Sequence, residues 1–267
     1  MHPRSIAWVG ASNNPVKMGT IQLINLTSGG FRGKVFPLHP TEPTVLGMKA
    51  YRSATELPEV PDVGVLVVPT KVAIPVLEDL GKAGVKHAVI VTAGFKEMGP
   101  EGRRLEEELN RTAQRFGIRF LGPNCIGVIN TRERLNTTFF PLCRKPGHVA
   151  IASQSGTYVT QVQLYLNRRG IGLSQAISVG NEASLDVVDC LEYFTQDRAT
   201  RSVILYLETV RRPRHFLEAA AGSPGKSRSW RSTWAARRPG PGRARATPGP
   251  WPETTGCTRA FSVRPGS

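Results

Sequence analysis

Short apolar runs alternate with stretches whose apolar residues recur at helical spacing, and this rhythm repeats through the first two hundred or so positions. It predicts a strand over 6–9, a helix over 18–27 ended by Gly29-Gly30, and a strand over 34–38 that leaves through His39-Pro40. The run 63–68 is apolar throughout, as a parallel strand buried on both faces requires, and Pro69 stops it. A helix follows over 72–83, then a strand over 87–91 ending at Thr92-Ala93-Gly94. Next comes a polar-faced helix over 100–116, with acids early and arginines late, and a strand over 119–121 before Gly122-Pro123-Asn124-Cys125. The repeated β–α pattern predicts an α/β fold with a doubly wound parallel sheet over 1–130. Ligands of such sheets lie beyond the carboxyl ends of the strands.

A polar linker is expected over 131–147. A second α/β unit over 148–220 then has strands at 149–152, 173–179 and 202–207, helices at 157–169 and 186–195, and the small polar turn Ser153-Gln154-Ser155-Gly156. Three strands are few for a parallel sheet, so this unit reads as incomplete. From residue 221 the composition turns to Arg, Pro, Gly, Ser and Trp with no helical or strand period, which predicts a disordered basic tail over 221–267.

Composition changes this picture little. The 267 residues are 40% hydrophobic, enough for a core, and no apolar run approaches membrane-spanning length. The first residues lead straight into a strand with no secretory apolar region, and the four cysteines are scattered without metal-ligand or disulfide spacing, so a cytoplasmic setting is expected and no metal site. The net charge of +15 suggests nucleic acid, but the tail holds nine basic residues against the single acid Glu253. More than half of the excess thus lies outside the predicted folded body. Arg and Trp together can bind single strands, yet nothing in the body supports that reading.

Candidate chemistry gathers at the strand ends. The stretch 6–19 reads as strand, tight turn and helix start. Gly10 can take backbone angles closed to other residues and lets a ligand approach the main chain, while the N–H groups of the following helix favour an anion. The glycine spacing is not G-x-G-x-x-G, so a dinucleotide does not follow from it. From the residues alone Ser153-Gln154-Ser155-Gly156 reads as a helix cap, Glu208 as a strand-end ion pair, and Cys125 as a small buried residue rather than a nucleophile.

Seven stretches in series carry a resemblance: 9–15, 33–40, Ala93-Gly94-Phe95-Lys96-Glu97, 122–130, 153–157, 178–181 and 205–209. From Arg4 to about Ala220 the chain resembles the CoA-binding half of the NDP-forming acyl-CoA synthetases, the group of the ADP-forming acetate–CoA ligases and the succinyl-CoA synthetase α subunit. The resemblance implies a Rossmann-like CoA-binding domain followed by an incomplete flavodoxin-like one. It implies the reaction acyl-CoA + ADP + phosphate ⇌ carboxylate + CoA + ATP, through an acyl phosphate and a phosphohistidine. It carries coenzyme A to Gly10, Ala11, Ser12, Pro40, Val68, Pro69, Thr92, Ala93, Gly94 and Asn124, and Lys17 is expected to add charge beside the pyrophosphate. Thr41 stands where many relatives have lysine. Ser153, Gln154, Ser155 and Gly156 take the place of the phosphate and phosphohistidine loop, and Glu208 that of the acid orienting the histidine. ATP or ADP with Mg would bind only through an ATP-grasp domain or subunit, the expected partner. A homo-oligomer is compatible with the family, whereas membrane and nucleic-acid partners are not expected. The alternative is a CoA- or acyl-CoA-sensing module of the lysine acetyltransferase type.

The family's catalytic histidine lies in a Ser-His-Thr-Gly motif beyond Glu208. None of His2, His39, His87, His148 and His215 has that context. Reading the codons of 246–256 one base earlier, with free choice only at degenerate positions, allows Ser-His-Thr-Gly-Ala-Leu-Ala-Gly-Asn-Asp. This suggests a frameshift near Ala220 and a chain not competent by itself.

Overall fold

The computed structural model describes residues 1–141, 145–221, 230–236 and 259–265. The first unit alternates as the sequence pattern requires: β1 (Ser5–Val9), α1 (Met18–Ser28), β2 (Lys34–Leu38), the small hairpin β3 (Thr44–Val45) and β4 (Met48–Lys49), then β5 (Val63–Leu66), α2 (Thr70–Lys82), β6 (His87–Ile90), α3 (Pro100–Phe116) and β7 (Arg119–Leu121). Five strands pair in the order β2-β1-β5-β6-β7, all parallel, with Ile6 opposite both Val35 and Val63.

All five residues of β1 are buried because both faces of the sheet are covered. Alternation sends Ile6 and Trp8 into a cluster with Leu23 and Leu26 of α1, and Ala7 and Val9 into one with Leu77 and Leu80 of α2 and Leu109 of α3. Helix α3 keeps its expected bounds. Pro100 opens it, and Gly117, left-handed at φ +65°, closes it while Ile118 N–H reaches Ala113 C=O at 2.8 Å. Helix α2 begins two residues before its apolar spacing does, directly at Pro69.

The second unit departs from expectation. It comprises β8 (Val128–Asn130), β9 (Leu135–Asn136), β10 (Pro146–Ser153), α4 (Gly156–Arg168), β11 (Leu173–Ser178), α5 (Val187–Gln196), β12 (Ser202–Leu207), α6 (Pro213–Ala221), β13 (Trp230–Ala236) and β14 (Arg259–Pro265). The three expected strands form a parallel centre, β12-β10-β11, within a seven-stranded sheet ordered β13-β14-β12-β10-β11-β8-β9. On one side β8, in residues assigned to the end of the first unit, adds antiparallel to β11, and β9, in the expected linker, adds antiparallel to β8; neither was read as a strand. On the other side β14 adds antiparallel to β12 and β13 to β14, so two segments of the tail are extended rather than irregular. A three-stranded parallel sheet exposes unpaired N–H and C=O groups along both outer strands, and pairing satisfies them. The rest of the tail, with the alternatively framed 246–256, lies outside the described residues.

Helix α4 covers one face of this sheet through Val159 and Leu166 against Ile151 and Ala176. Helices α5 and α6 cover the other, with Val188, Leu191 and Phe216 against Ala150, Ala152 and Leu205. That cluster runs on into Ile6, Trp8 and Leu26 of the first unit, so the two sheets share a core. Among the described residues no helix is long and apolar enough to cross a membrane.

Candidate functional site at the strand ends

At β1 the sheet order reverses: the chain moves to β2 on one side, then crosses to β5 on the other. In doubly wound sheets such a reversal marks the ligand side, at the carboxyl end of the strand. The turn there is tightly built. Gly10 has φ +107°, and a Cβ there would stand 2.0 Å from the Val67 carbonyl oxygen. The close approach that demands glycine is therefore made by the protein's own backbone. A Cβ on Gly19 would stand 2.3 Å from the Gly10 carbonyl oxygen, so the start of α1 presses on the turn. Thr20 then locks it: its hydroxyl accepts the Ser12 N–H at 3.0 Å and donates to the Ser12 carbonyl at 3.0 Å. The Ser12 side chain is buried, and its oxygen accepts the Asn14 N–H at 3.2 Å. Lys17 stands exposed just before α1 and its carbonyl takes the N–H groups of Thr20 and Ile21 at 3.0 Å each.

The neighbouring strand ends are stitched to one another. The Thr92 hydroxyl donates to the Val68 carbonyl at 2.8 Å, Thr70 donates to the Ala93 carbonyl at 2.6 Å, and Asn124 N–H reaches the Thr92 carbonyl at 2.8 Å. Val67 N–H ties this group to β1 through the Val9 carbonyl at 2.9 Å. The structure thus brings Gly10, Ala11, Ser12, Val68, Pro69, Thr92, Ala93, Gly94 and Asn124 to one edge. Pro40 joins less directly. Beside it Glu42 sends a carboxylate oxygen to the Asn13 N–H at 3.2 Å and to the Asn13 side-chain amide, while its other oxygen lies 3.7 Å from His39 Nε2. An acid therefore sits against the turn where the sequence reading expected only an anion from outside.

A polar network links this edge to the second unit. Glu97 folds back to accept the N–H groups of Gly94 at 2.6 Å and Phe95 at 3.1 Å. Its other oxygen accepts the Asn181 amide at 2.6 Å. Burial pushes the Glu97 carboxyl up, but these hydrogen bonds outweigh it and hold the group below its ordinary range. The Asn181 amide also reaches Glu106 at 2.8 Å and Asn124 at 3.2 Å, and Lys96 donates to its carbonyl. Backbone bonds from Asn181 to Pro123 and from Ala183 to Gly122 lay the 179–185 segment along the exit of β7.

The second corner follows β10. Ser155 caps α4, its oxygen accepting the Tyr158 N–H at 3.4 Å, and the Ser153 hydroxyl donates to the Ser155 carbonyl at 2.7 Å. Gln154 reaches outward: its amide oxygen accepts the Glu208 N–H at 2.5 Å and the Thr209 N–H at 3.0 Å. Loop 153–156 and Glu208 are thereby joined. The Glu208 side chain is exposed and enters no ion pair among the described residues, so the strand-end ion pair is not made. Cys125 is buried with its thiol pushed up to about 12 by desolvation, which makes it a packing residue. Sequence reasoning missed Thr20, Glu42 and Glu182. Only their position, eight residues after Ser12, two after Pro40 and directly after Asn181, hinted at them.

Comparison with known proteins bears on the same regions. Residues 4–131 match the CoA binding domain family, and residues 146–225 the succinyl-CoA ligase like flavodoxin domain. The chain is 42% identical over 219 residues to the acetate–CoA ligase (ADP-forming) II subunit alpha of Pyrococcus furiosus, a match covering 82% of this chain and 48% of that subunit. It is 40% identical to the acetate–CoA ligase (ADP-forming) of Methanocaldococcus jannaschii, covering 82% of this chain and 30% of the relative. Among solved structures, the apo form of the Ca. Korarchaeum cryptofilum dinucleotide forming acetyl-coenzyme A synthetase 1 superposes with a TM-score of 0.79 at 44% identity, over 82% of this chain and 48% of that one. The chain spans about half the length of the subunit and of the solved chain, and less of the longer ligase.

Proposed function

The chain belongs to the NDP-forming acyl-CoA synthetase family, as its CoA-binding part, and from that premise we propose that it holds coenzyme A across the carboxyl ends of the first sheet. The observation that carries this reading is the reversal of strand order beside β1, where Gly10, Ala11, Ser12, Val68, Pro69, Thr92, Ala93, Gly94 and Asn124 share one edge. The start of α1 supplies a positive dipole end for the pyrophosphate, and exposed Lys17 adds charge. Pro40 borders the same edge, with Thr41 supplying no charge and Glu42 opposing one.

The activity served is formation of acyl-CoA, or its reversal with ATP synthesis. Loop 153–156 stands where the family's phosphoryl group is held, at the start of α4, and Glu208 where the acid orients the phosphohistidine, a residue this chain lacks. Nucleotide and Mg would be bound by an ATP-grasp part, supplied by another chain or another stretch of a longer one. Relatives bearing ligase names support this over the acyl-CoA-sensing module. The frameshift reading is supported by where similarity stops: the flavodoxin-domain match ends at residue 225, beside the change in composition. Without a histidine in the Ser-His-Thr-Gly context, the phosphorylation half of the reaction is not expected of this chain. Reading the gene through 219–267 tests this, and an unshifted continuous read refutes it.

Titration calorimetry with CoA tests the binding proposal. Saturable binding is expected, weaker by about three- to tenfold in Ser12→Ala, whose hydroxyl shapes the turn through the Asn14 N–H. An absence of heat with the folded wild-type chain would sink it.

A further inference from the structure

Glu182 is a carboxylate the fold has removed from water; the residue is 3% exposed. It leaves β11 at φ +55°, a left-handed conformation that a non-glycine residue keeps only when its surroundings hold it. They do so here: its N–H donates to the Val179 carbonyl at 3.1 Å, and its own carbonyl takes the Arg211 guanidinium. Its side chain bridges two elements. One oxygen accepts the Val187 N–H at the start of α5 at 2.8 Å, and the other accepts Gln154 Nε2 at 2.8 Å.

The Gln154 amide is engaged on every side. Its nitrogen faces two acceptors, Glu182 Oε2 and the Thr209 carbonyl at 2.7 Å. Its oxygen faces two donors, the N–H groups of Glu208 and Thr209. Only one of the two amide orientations satisfies all four partners, and an amide flip would set donor against donor at Glu208 and Thr209. The carboxylate at 182 completes this polarity, because it can only accept.

We propose that Glu182 is a positioning residue: it fixes the Gln154 amide and through it clamps the 208–209 turn against loop 153–156. The consequence for chemistry rests on reading 153–156 as the phosphate loop and Glu208 as its acid. The clamp itself rests on the geometry above. Glu182→Gln keeps the size of the side chain but leaves one acceptor oxygen for two donors. With that oxygen on the Val187 N–H, an amide donor faces Gln154 and the clamp loosens; with it on Gln154, the Val187 N–H loses its partner.

Amide hydrogen exchange by NMR on the isotope-labelled full chain separates these ideas. In Glu182→Gln, protection of the Glu208 and Thr209 amides is expected to fall by about tenfold, one hydrogen bond's worth. Protection of Ile151 and Leu205 in the adjoining strands should hold. Gln154→Leu should reproduce the loss, and the double variant should add nothing to it, as groups acting in one relay do. Unchanged protection at 208–209 in Gln154→Leu, or in a folded Glu182→Gln whose Val187 amide keeps its protection, overturns the proposal, as does an additive double variant. Inorganic phosphate forms the second arm. It is expected to shift the amides of Ser155, Gly156 and Tyr158 in the wild type and to bind several-fold more weakly in Glu182→Gln. If phosphate moves none of these amides in the wild type, the phosphate-loop reading fails, while the exchange data still decide the clamp.

Discussion

Two strand–turn–helix corners, after β1 and after β10, resemble each other in outline and are held by opposite means. The first is locked by backbone shape. Gly10 fits under the Val67 carbonyl, Gly19 under that of Gly10, and one neutral hydroxyl, Thr20, closes the ring. The second is held at a distance by side chains. Gln154 reaches Glu182 in one direction and the end of β12 in the other, and Glu182 in turn leans on α5 and Arg211. Steric locks depend little on solvent conditions. Polar relays depend on charge and on donor–acceptor order. On the proposed reading, a cofactor held at the first corner and a phosphoryl group passed at the second would call for a rigid turn first and a responsive one second.

The largest effect should come from breaking the steric lock. Gly10→Ala forces an unfavourable positive φ and a clash with backbone, and is expected to cost about 2–6 kcal/mol in urea unfolding, with CoA binding lost. A cost below about 1 kcal/mol would mean the corner relaxes easily, and the contrast between the corners would go.

Next comes the electrostatic side. Asp186 caps α5, accepting the Val188 and Asp189 N–H groups at 2.8 and 3.1 Å, and pairs with Arg212 through both its oxygens. Burial pushes its carboxyl up, but the Arg212 hydrogen bonds and the cap outweigh this and hold it below its ordinary 3.8. A carboxylate lowered on folding adds stability above its unfolded value and loses it as pH falls through the folded one. Asp186→Asn is therefore expected to cost about 2–3 kcal/mol at neutral pH. The difference from wild type should shrink once pH drops below about 4. Gly10→Ala should show no such convergence. Unfolding curves across pH for both variants make the test, and parallel pH profiles would erase the distinction.

The smallest effect lies at the one charge pressed on the first corner. Glu42 places a carboxylate on the Asn13 N–H, competing with any phosphate that approaches. Glu42→Gln should tighten CoA by about threefold at low salt, the scale of a partly exposed charge, and less at high salt. Weaker binding would show that Glu42 shapes the turn instead of opposing the ligand.

The first sheet was legible almost to the residue, since strands buried on both faces announce themselves as apolar runs, with Gly29-Gly30 ending the first helix and Pro69 the strand over 63–68. The second was legible only at its parallel centre. Strands β8 and β9 are too short for a period to show, and β13 and β14 run through residues of mixed polarity, so their pairing could not be read locally. Candidate residues near a glycine or a strand end, such as Ser12 and Ser153, could be proposed from type and place. Glu182 could not, because its meaning comes from Gln154, far away along the chain.

By itself, then, the order of residues determined the alternation of strands and helices, the location of the strand ends and the family to which they belong. The alternation and the strand ends follow from local periodicity and turn chemistry, the family from the resemblance of its motif stretches. Only the tertiary structure decided which distant strands complete the second sheet, and that a backbone carbonyl fills the space beside Gly10. It also decided that Asn181 and Glu182 stand between the two corners. Those facts depend on contacts between residues remote in sequence, whose hydrogen-bonding groups find their partners only when the sheets come together.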